Sequence, residues 1–325
     1  MNEILKKYAN CNVLVTGGAG FIGSHLVEKL LSLGARVSDI DTMLCGNKIT
    51  HLQDNKDLAV YELDVNNAKA ISPLFKGVDM VFHLAAVVGV EETQIDPLNV
   101  LNVEVIGTSK VIALAAKHKV KRFIFASSSE VYGDSLEPMV EEGPFNHKST
   151  YSLTKMIGEH YCRAYYQKYG LEYTILRYFN TYGPRQDERF VFSRFVERAL
   201  KQKEIFIYGD GNQTRDFTYV EDSVYLTLLA AMNGKGACQA FNVGTGKAVS
   251  INTLAKVILK ALKLKQKAKV SYVDYDNIRS KEIEIFNRLA NMDKVVGLFQ
   301  YLPATTLEQG IKEYIDWYRK NEILK

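Results

Sequence analysis

The stretch VLVTGGAGFIGSHLVEKLL, residues 13–31, constrains the fold more than any other part of the chain. A β-branched run stops at Gly17, and a helix-period segment starts after Gly20. Gly17, Gly20 and Gly23 stand three apart between the two. Glycine allows the tight turn and lets the backbone approach a diphosphate. The helix that follows offers the N–H groups of its first turn, where Phe21 and Ile22 fall, and the positive end of its dipole. Glycine triplets also occur in turns that bind nothing. Here an acidic residue, Asp41, closes the next apolar run, RVSDID, 18 positions past Gly23. Such a carboxylate can accept both hydroxyls of an adenosine ribose and repels a 2′-phosphate, so NAD rather than NADP is the expected cofactor. The plainer role for Asp41 is a cap or turn. Asp64, after the third strand, is expected at the adenine with Val65 beside it; its plainer role is also a strand-end cap.

The same alternation continues. Apolar runs such as LAVYELD, VDMVFHLA and KRFIFAS alternate with helix-period segments such as SKVIALAAKHK. Runs this continuous indicate parallel strands covered on both faces, hence an α/β fold with a doubly wound parallel sheet. Past YGPRQ the style changes to glycine-rich turns and shorter elements. We expect a dinucleotide domain over residues 1–180 and a smaller, partly interleaved α/β substrate domain over 181–325, with a segment near 217–243 returning to the first. With no Pro/Ser linker between them, the two are expected to pack together.

Composition narrows the partners. Hydrophobic residues are 47% and charged residues 24% of the chain, which is globular rather than disordered. The net charge is +4 without a run of five like charges, so nucleic acid is not expected. No apolar run is read as the roughly 20 residues a membrane helix needs, and the N-terminus lacks a cleavage-type signal. Cys11, Cys45, Cys162 and Cys238 are scattered, and the six histidines make no H-x-x-x-H pair. Reduced thiols, a cytoplasmic setting and no metal site are expected.

STYSLTKMIGEHY places Tyr151 and Lys155 four apart, on one face of a helix. Tyrosine ionises at about 10 in water, and a neighbouring ammonium or positive nicotinamide favours the phenolate. Most such pairs are helix surface. The serines of SSSEVYG, ending the fifth strand, change that reading, because ligands of parallel sheets sit beyond the carboxyl ends of strands.

With TGGAGFIGSHL, DMVFHLAA, NVEVIGT, SSSEVYG, YSLTK, RYFNTYGPRQ, YGDGNQTRDFTYVEDSV, FNVGTG and PATTLEQGI, the chain resembles the extended short-chain dehydrogenases of the nucleotide-sugar epimerase/dehydratase family, nearly end to end. The resemblance implies Ser128, four before Tyr132, as the catalytic serine beside Tyr151 and Lys155. It implies Leu84, Ala85 and Ala86 against the cofactor, with Val87 on the sugar side, and Asn102 supporting the active-site helix. Tyr178 would lie by the nicotinamide and Asn180 by the substrate diphosphate. Arg185, Tyr208 and Arg215 would face the nucleotide sugar; for Arg215 the alternative is a surface salt bridge. The chemistry implied is removal of the C4 hydroxyl proton by Tyr151 and passage of the C4 hydrogen to NAD, giving a 4-keto sugar. A homodimer through a four-helix bundle is implied as well.

Glu130 leaves the outcome open. A 4-keto sugar acidifies its C5 proton, and family members that dehydrate or decarboxylate often carry glutamate two after the catalytic serine. One dehydratase group has Asp-Glu there, where this chain has Ser129-Glu130. NRLANMDK places Arg288 where decarboxylases carry arginine, but Ala290-Asn291 fits epimerases equally. Epimerisation at C4 is the leading expectation. Dehydration, decarboxylation or release of the 4-keto sugar are the alternatives, and Glu130 could instead orient its own loop. A non-catalytic scaffold or redox sensor of the same fold is disfavoured by the intact serine, tyrosine and lysine.

Overall fold

The computed structural model describes residues 3–87, 90–263, 268–275 and 281–322. Its strands are β1 Asn12–Thr16, β2 Arg36–Asp41, β3 Leu58–Glu62, β4 Met80–His83, β5 Arg122–Ser128, β6 Glu172–Tyr178, β7 Asn180–Tyr182, β8 Ile205–Tyr208, β9 Thr214–Tyr219, β10 Gln239–Val243, β11 Ala248–Ser250 and β12 Val270–Val273. Seven of them form one sheet in the order β10-β6-β5-β4-β1-β2-β3, every pair parallel. β10 comes from the C-terminal half of the sequence and lies beside β6. The order reverses direction between β1 and β4, where Thr16 stands opposite His83. Open α/β sheets bind their ligands beyond such a switch point. The remaining strands make a three-stranded sheet, β11-β9-β7, and a two-stranded one, β12-β8.

Alternation along each strand sorts side chains to two cores. Val13, Val15 and Ile124 face one core with Leu26 and Leu30 of α1 (Phe21–Ser32). Leu14, Phe123 and Phe125 face the other. That core is covered by Val111 and Ala115 of α2 (Pro97–Lys117) and by Cys162 of α3 (Thr150–Tyr169). α4 (Val220–Met232) covers the first core, with Leu226, Leu228 and Ala230 fully buried.

Among the described residues α2 is long and apolar enough to cross a membrane by length and composition, contrary to the expectation that no segment would be. It packs on α3 and carries a buried acid, Glu104. Its middle, Asn102–Gly107, is π-helical.

α3 starts and stops where its sequence directs. Ser149 caps it: its hydroxyl accepts from the Ser152 amide at 3.1 Å, and the Ser152 hydroxyl accepts from the Ser149 amide at 3.1 Å. Gly170 ends it in the left-handed conformation.

Candidate active site

The loop after β1 is shaped by close approaches. Gly17 has φ of +78°, and a Cβ there would lie 2.8 Å from the Ala85 amide nitrogen and 2.9 Å from the Leu84 carbonyl carbon. A Cβ on Gly23 would lie 2.0 Å from the Gly17 carbonyl oxygen. Only glycine fits at both places, and a diphosphate finds bare backbone there. Gly20 precedes the first turn of α1, which Phe21 and Ile22 open, both partly buried. Asp41 ends β2 and turns back to the loop: Oδ2 accepts from the Ala19 amide at 3.0 Å and Oδ1 from the Met43 amide at 2.8 Å.

Leu84 donates its amide to the Thr16 carbonyl at 2.9 Å, and Ala85 to the Thr16 hydroxyl at 3.3 Å, so the strand ends of β1 and β4 are tied together. Ala86 follows, partly buried. Val65 is buried, while Asp64 is exposed and accepts from the Asn66 amide at 2.7 Å, a turn bond.

The three serines after β5 have separate fates. The Ser127 hydroxyl is buried and donates to Glu159 Oε1 at 2.7 Å. The Ser129 hydroxyl is buried without a partner. The Ser128 hydroxyl accepts from the Glu130 amide at 3.2 Å and is near enough to the Tyr151 phenol to favour its ionised form. Lys155 Nζ lies 5.3 Å from the centre of the Tyr151 ring. Burial pushes the Tyr151 phenol well above its usual range, with the carboxylates of Glu104 and Glu130 acting the same way. The Ser128 hydroxyl and the Arg288 charge pull it down.

α2 adds a group that the sequence did not single out. Asn102 is exposed; the side chain that reaches the lysine from this helix is Glu104, whose Oε2 lies 2.6 Å from Lys155 Nζ. Glu104 Oε1 accepts from the Val87 amide at 3.0 Å.

The sugar side is built from the second half of the chain. Arg288 Nη2 lies 3.5 Å from Glu130 Oε1, and its Nε is buried without a hydrogen-bond partner. Its segment is anchored on both flanks. The Asn287 amide donates to Asp134 Oδ1 at 2.8 Å, the Met139 amide donates to the Leu289 carbonyl at 2.8 Å, and the Asn291 amide donates to the Met139 carbonyl at 2.9 Å. The buried carboxylate of Asp216 accepts from the amides of Ala290, Thr245 and Gly246. Asn180 Oδ1 is buried without a partner, a polar atom that a ligand donor would satisfy.

Tyr178 is buried with its hydroxyl 2.6 Å from that of Thr227, where burial pushes it up. Arg215 is buried in an ion pair with Glu284 and donates to the Ile285 carbonyl at 2.7 Å, so it is not a surface bridge. Arg185 pairs with Glu28 of α1, and its Nη1 is buried without a partner. Tyr208 ends β8, half-buried, its ring 6.3 Å from that of Tyr275.

Four contributors escaped the sequence reading. Gly18 donates its amide to Asp39 Oδ1 at 2.8 Å, and a Cβ there would lie 2.3 Å from that oxygen. Asp39 is buried, and burial pushes its carboxyl up to about 7. His83 is buried between the hydroxyls of Thr16, at 2.7 Å, and Thr108, at 2.9 Å. Burial and the Lys155 charge push it down to about 3, so it is neutral. Glu104 is the fourth. His83 and Glu104 lie inside motifs quoted above; Gly18 stands among the loop glycines, and Asp39 two before Asp41.

Comparison with known proteins agrees with this geometry. The model of the NAD dependent epimerase/dehydratase family matches residues 13–244. A putative UDP-glucose 4-epimerase of Methanocaldococcus jannaschii is 36% identical over 95% of this chain and 99% of its own. A UDP-N-acetyl-alpha-D-glucosaminuronate decarboxylase of Bacillus cytotoxicus is 35% identical over 95% and 98%. Among solved structures, a mutant UDP-glucuronic acid 4-epimerase of Bacillus cereus, in complex with a fluorinated UDP-glucuronic acid and NAD, superposes with a TM-score of 0.89. It is 30% identical over 95% of this chain and 99% of its own. The bare-backbone cradle at Gly17 and Gly23, with Asp41 closing β2, suits the cofactor that the family is named for. On the matched span, the sheet order and the convergence of Ser128, Tyr151 and Lys155, the chain belongs to the NAD dependent epimerase/dehydratase family.

Proposed function

We propose that this protein oxidises C4 of a UDP-sugar to a 4-keto intermediate and ends in epimerisation at that carbon. The observation that supports it most is Lys155 Nζ at 5.3 Å from the centre of the Tyr151 ring, with the Ser128 hydroxyl also favouring the phenolate. The Gly17–Gly23 loop, Asp41, Leu84–Ala86 and Lys155 would hold NAD, which would supply the acceptor and donor for the C4 hydrogen. Tyr151 takes the proton of the C4 hydroxyl, and Ser128 holds the same oxygen. Lys155 and the cofactor's positive ring favour the phenolate against burial. Glu130 is already engaged, by Arg288 at 3.5 Å and by the Ser149 hydroxyl at 3.3 Å. Both of its oxygens hold neighbouring groups in place, which supports return of hydrogen to C4 over elimination.

Arg288 supports a second reading. A buried guanidinium beside Tyr151, with one N–H free of hydrogen-bond partners, suits a sugar carboxylate at C5. A 4-keto uronic acid loses carbon dioxide with its bonding pair passing to C5, which then takes a proton. Asn180, Arg185, Tyr208 and Arg215 are proposed on the nucleotide side. Mass analysis after incubation with a panel of UDP-sugars and UDP-uronic acids separates the outcomes. Epimerisation leaves mass unchanged, decarboxylation loses carbon dioxide and dehydration loses water. Oxidised product leaving with reduced cofactor would sink both readings.

Residues 1–180 are proposed as the cofactor unit and 181–325 as the sugar unit. β10 beside β6 supports a return of the segment near 217–243 to the first. A homodimer through α2 and α3 is supported by Leu98 and Ile106 on one, and Tyr166 and Tyr169 on the other, all exposed. Sedimentation as a concentration-independent monomer would contradict it. The four cysteines are free, which supports a cytoplasmic setting.

A further inference from the structure

Glu104 takes no part in the reaction drawn above, yet it is buried against the groups that perform it. It sits in the π-helical turn of α2, a local rewinding that re-aims side chains. Its side chain is 1% exposed and that of Lys155 is 3% exposed. One oxygen holds the ammonium at 2.6 Å, and the other accepts from the Val87 amide at 3.0 Å, beyond the end of β4. The ammonium that would favour a Tyr151 phenolate is therefore shared with a carboxylate at contact distance.

The charged and titratable groups around Tyr151 come from four directions. Lys155 is on its own helix, Glu104 on α2, Glu130 on the turn after β5 and Arg288 on the C-terminal segment. His83, which feels the Lys155 charge from β4, is neutral. Burial raises Tyr151 first, then Glu104 and Glu130 raise it further, against Ser128 and Arg288.

We propose that Glu104 is a positioning residue for the Tyr151–Lys155 pair. One oxygen fixes the lysine and the other the strand-end amide of Val87, and its negative charge sets the pH at which Tyr151 gives up its proton. The proposal rests on Tyr151 being the base of the proposed reaction. A glutamine cannot reproduce the arrangement: its single carbonyl oxygen can face the ammonium or the Val87 amide, and its NH₂ would meet the other donor. An aspartate keeps the charge but is one methylene short of spanning both.

The test is an ultraviolet difference titration of the NAD-loaded protein, with Tyr151→Phe as the blank, in the unaltered chain, Glu104→Gln and Glu104→Asp. It needs no sugar, so it reads out even if every UDP-sugar in the panel is refused. That refusal would sink the proposed function alone. The Tyr151 midpoint is expected to fall by roughly one pH unit or more in Glu104→Gln and to stay in place in Glu104→Asp. An unmoved midpoint in Glu104→Gln, or equal shifts in both variants, overturns the proposal. Should Glu104→Gln not fold, Glu104→Asp decides through turnover of a UDP-sugar accepted by the unaltered protein. A tenfold or greater fall in kcat with KM kept supports the positioning role, and unchanged kcat overturns it.

Discussion

The guanidinium of Arg288 lies 3.5 Å from the Glu130 carboxylate, beside the phenol of Tyr151, although the two residues come from distant parts of the chain. The pair bears on how a 4-keto sugar would be treated. If Glu130 chiefly holds Arg288 and the Ser149 cap, Glu130→Gln keeps turnover within about tenfold of the unaltered chain. The epimerised product then carries no solvent deuterium at C5. A loss of the roughly 10²–10⁴ expected of a general base, with 4-keto sugar accumulating, would show that Glu130 removes the C5 proton.

Asp41 makes cofactor choice testable. Asp41→Ala removes the carboxylate that would meet the adenosine ribose and also releases the Ala19 and Met43 amides. NAD should bind more weakly and NADP should be admitted, as read by titration calorimetry with each. Equal affinity for both in the unaltered protein would contradict the assignment.

The region under the serine loop is held by ions with no place in the reaction. Glu159 accepts two parallel bonds from Arg177, at 2.8 and 2.7 Å, and a third from Ser127, all buried. Removing one partner strands a buried charge. Glu159→Gln should therefore cost about 3–5 kcal/mol in denaturant unfolding, and a loss below about 1 kcal/mol would show that the pair is not needed.

The sheet was legible because its strands are nearly continuous apolar runs, and two-faced burial leaves few other readings. The glycine loop was legible for the same local reason: turn, helix start and acidic partner all lie within a few dozen residues. Glu104 was not. It lies two residues from Asn102, and residues two apart stand on nearly opposite sides of a helix, so only one of them can face α3. Which one does so depends on the π-helical turn, and the motif's wording does not show that. Arg288 is placed by its neighbours in the chain, which bond to Asp134, Met139 and Asp216, all distant in sequence. Arg215 owes its burial to Glu284, which lies 69 residues further along the chain, a pairing that no local pattern shows.

Asp39 gives the fold a pH dependence near neutrality. Its carboxyl is raised to about 7 by burial under the glycine loop. Between its ordinary range and that value the folded chain binds the extra proton, so stability falls as pH rises through the window. Asp39→Asn keeps an acceptor for the Gly18 amide and removes the titration. Its melting temperature, relative to the unaltered cofactor-free protein, should rise between pH 5 and pH 8. A difference that does not change with pH would contradict the buried-carboxyl account.

The central claim is that hydrogen leaves C4 and returns to C4, with Tyr151 handling the hydroxyl proton. A UDP-sugar that the protein accepts, deuterated at C4, tests it most directly. The account predicts that deuterium stays on C4 of the product and that Tyr151→Phe, still folded by circular dichroism, turns over about 10²–10⁴ times more slowly. Deuterium exchanged into solvent, or a Tyr151→Phe variant that works as well as the unaltered protein, would contradict it.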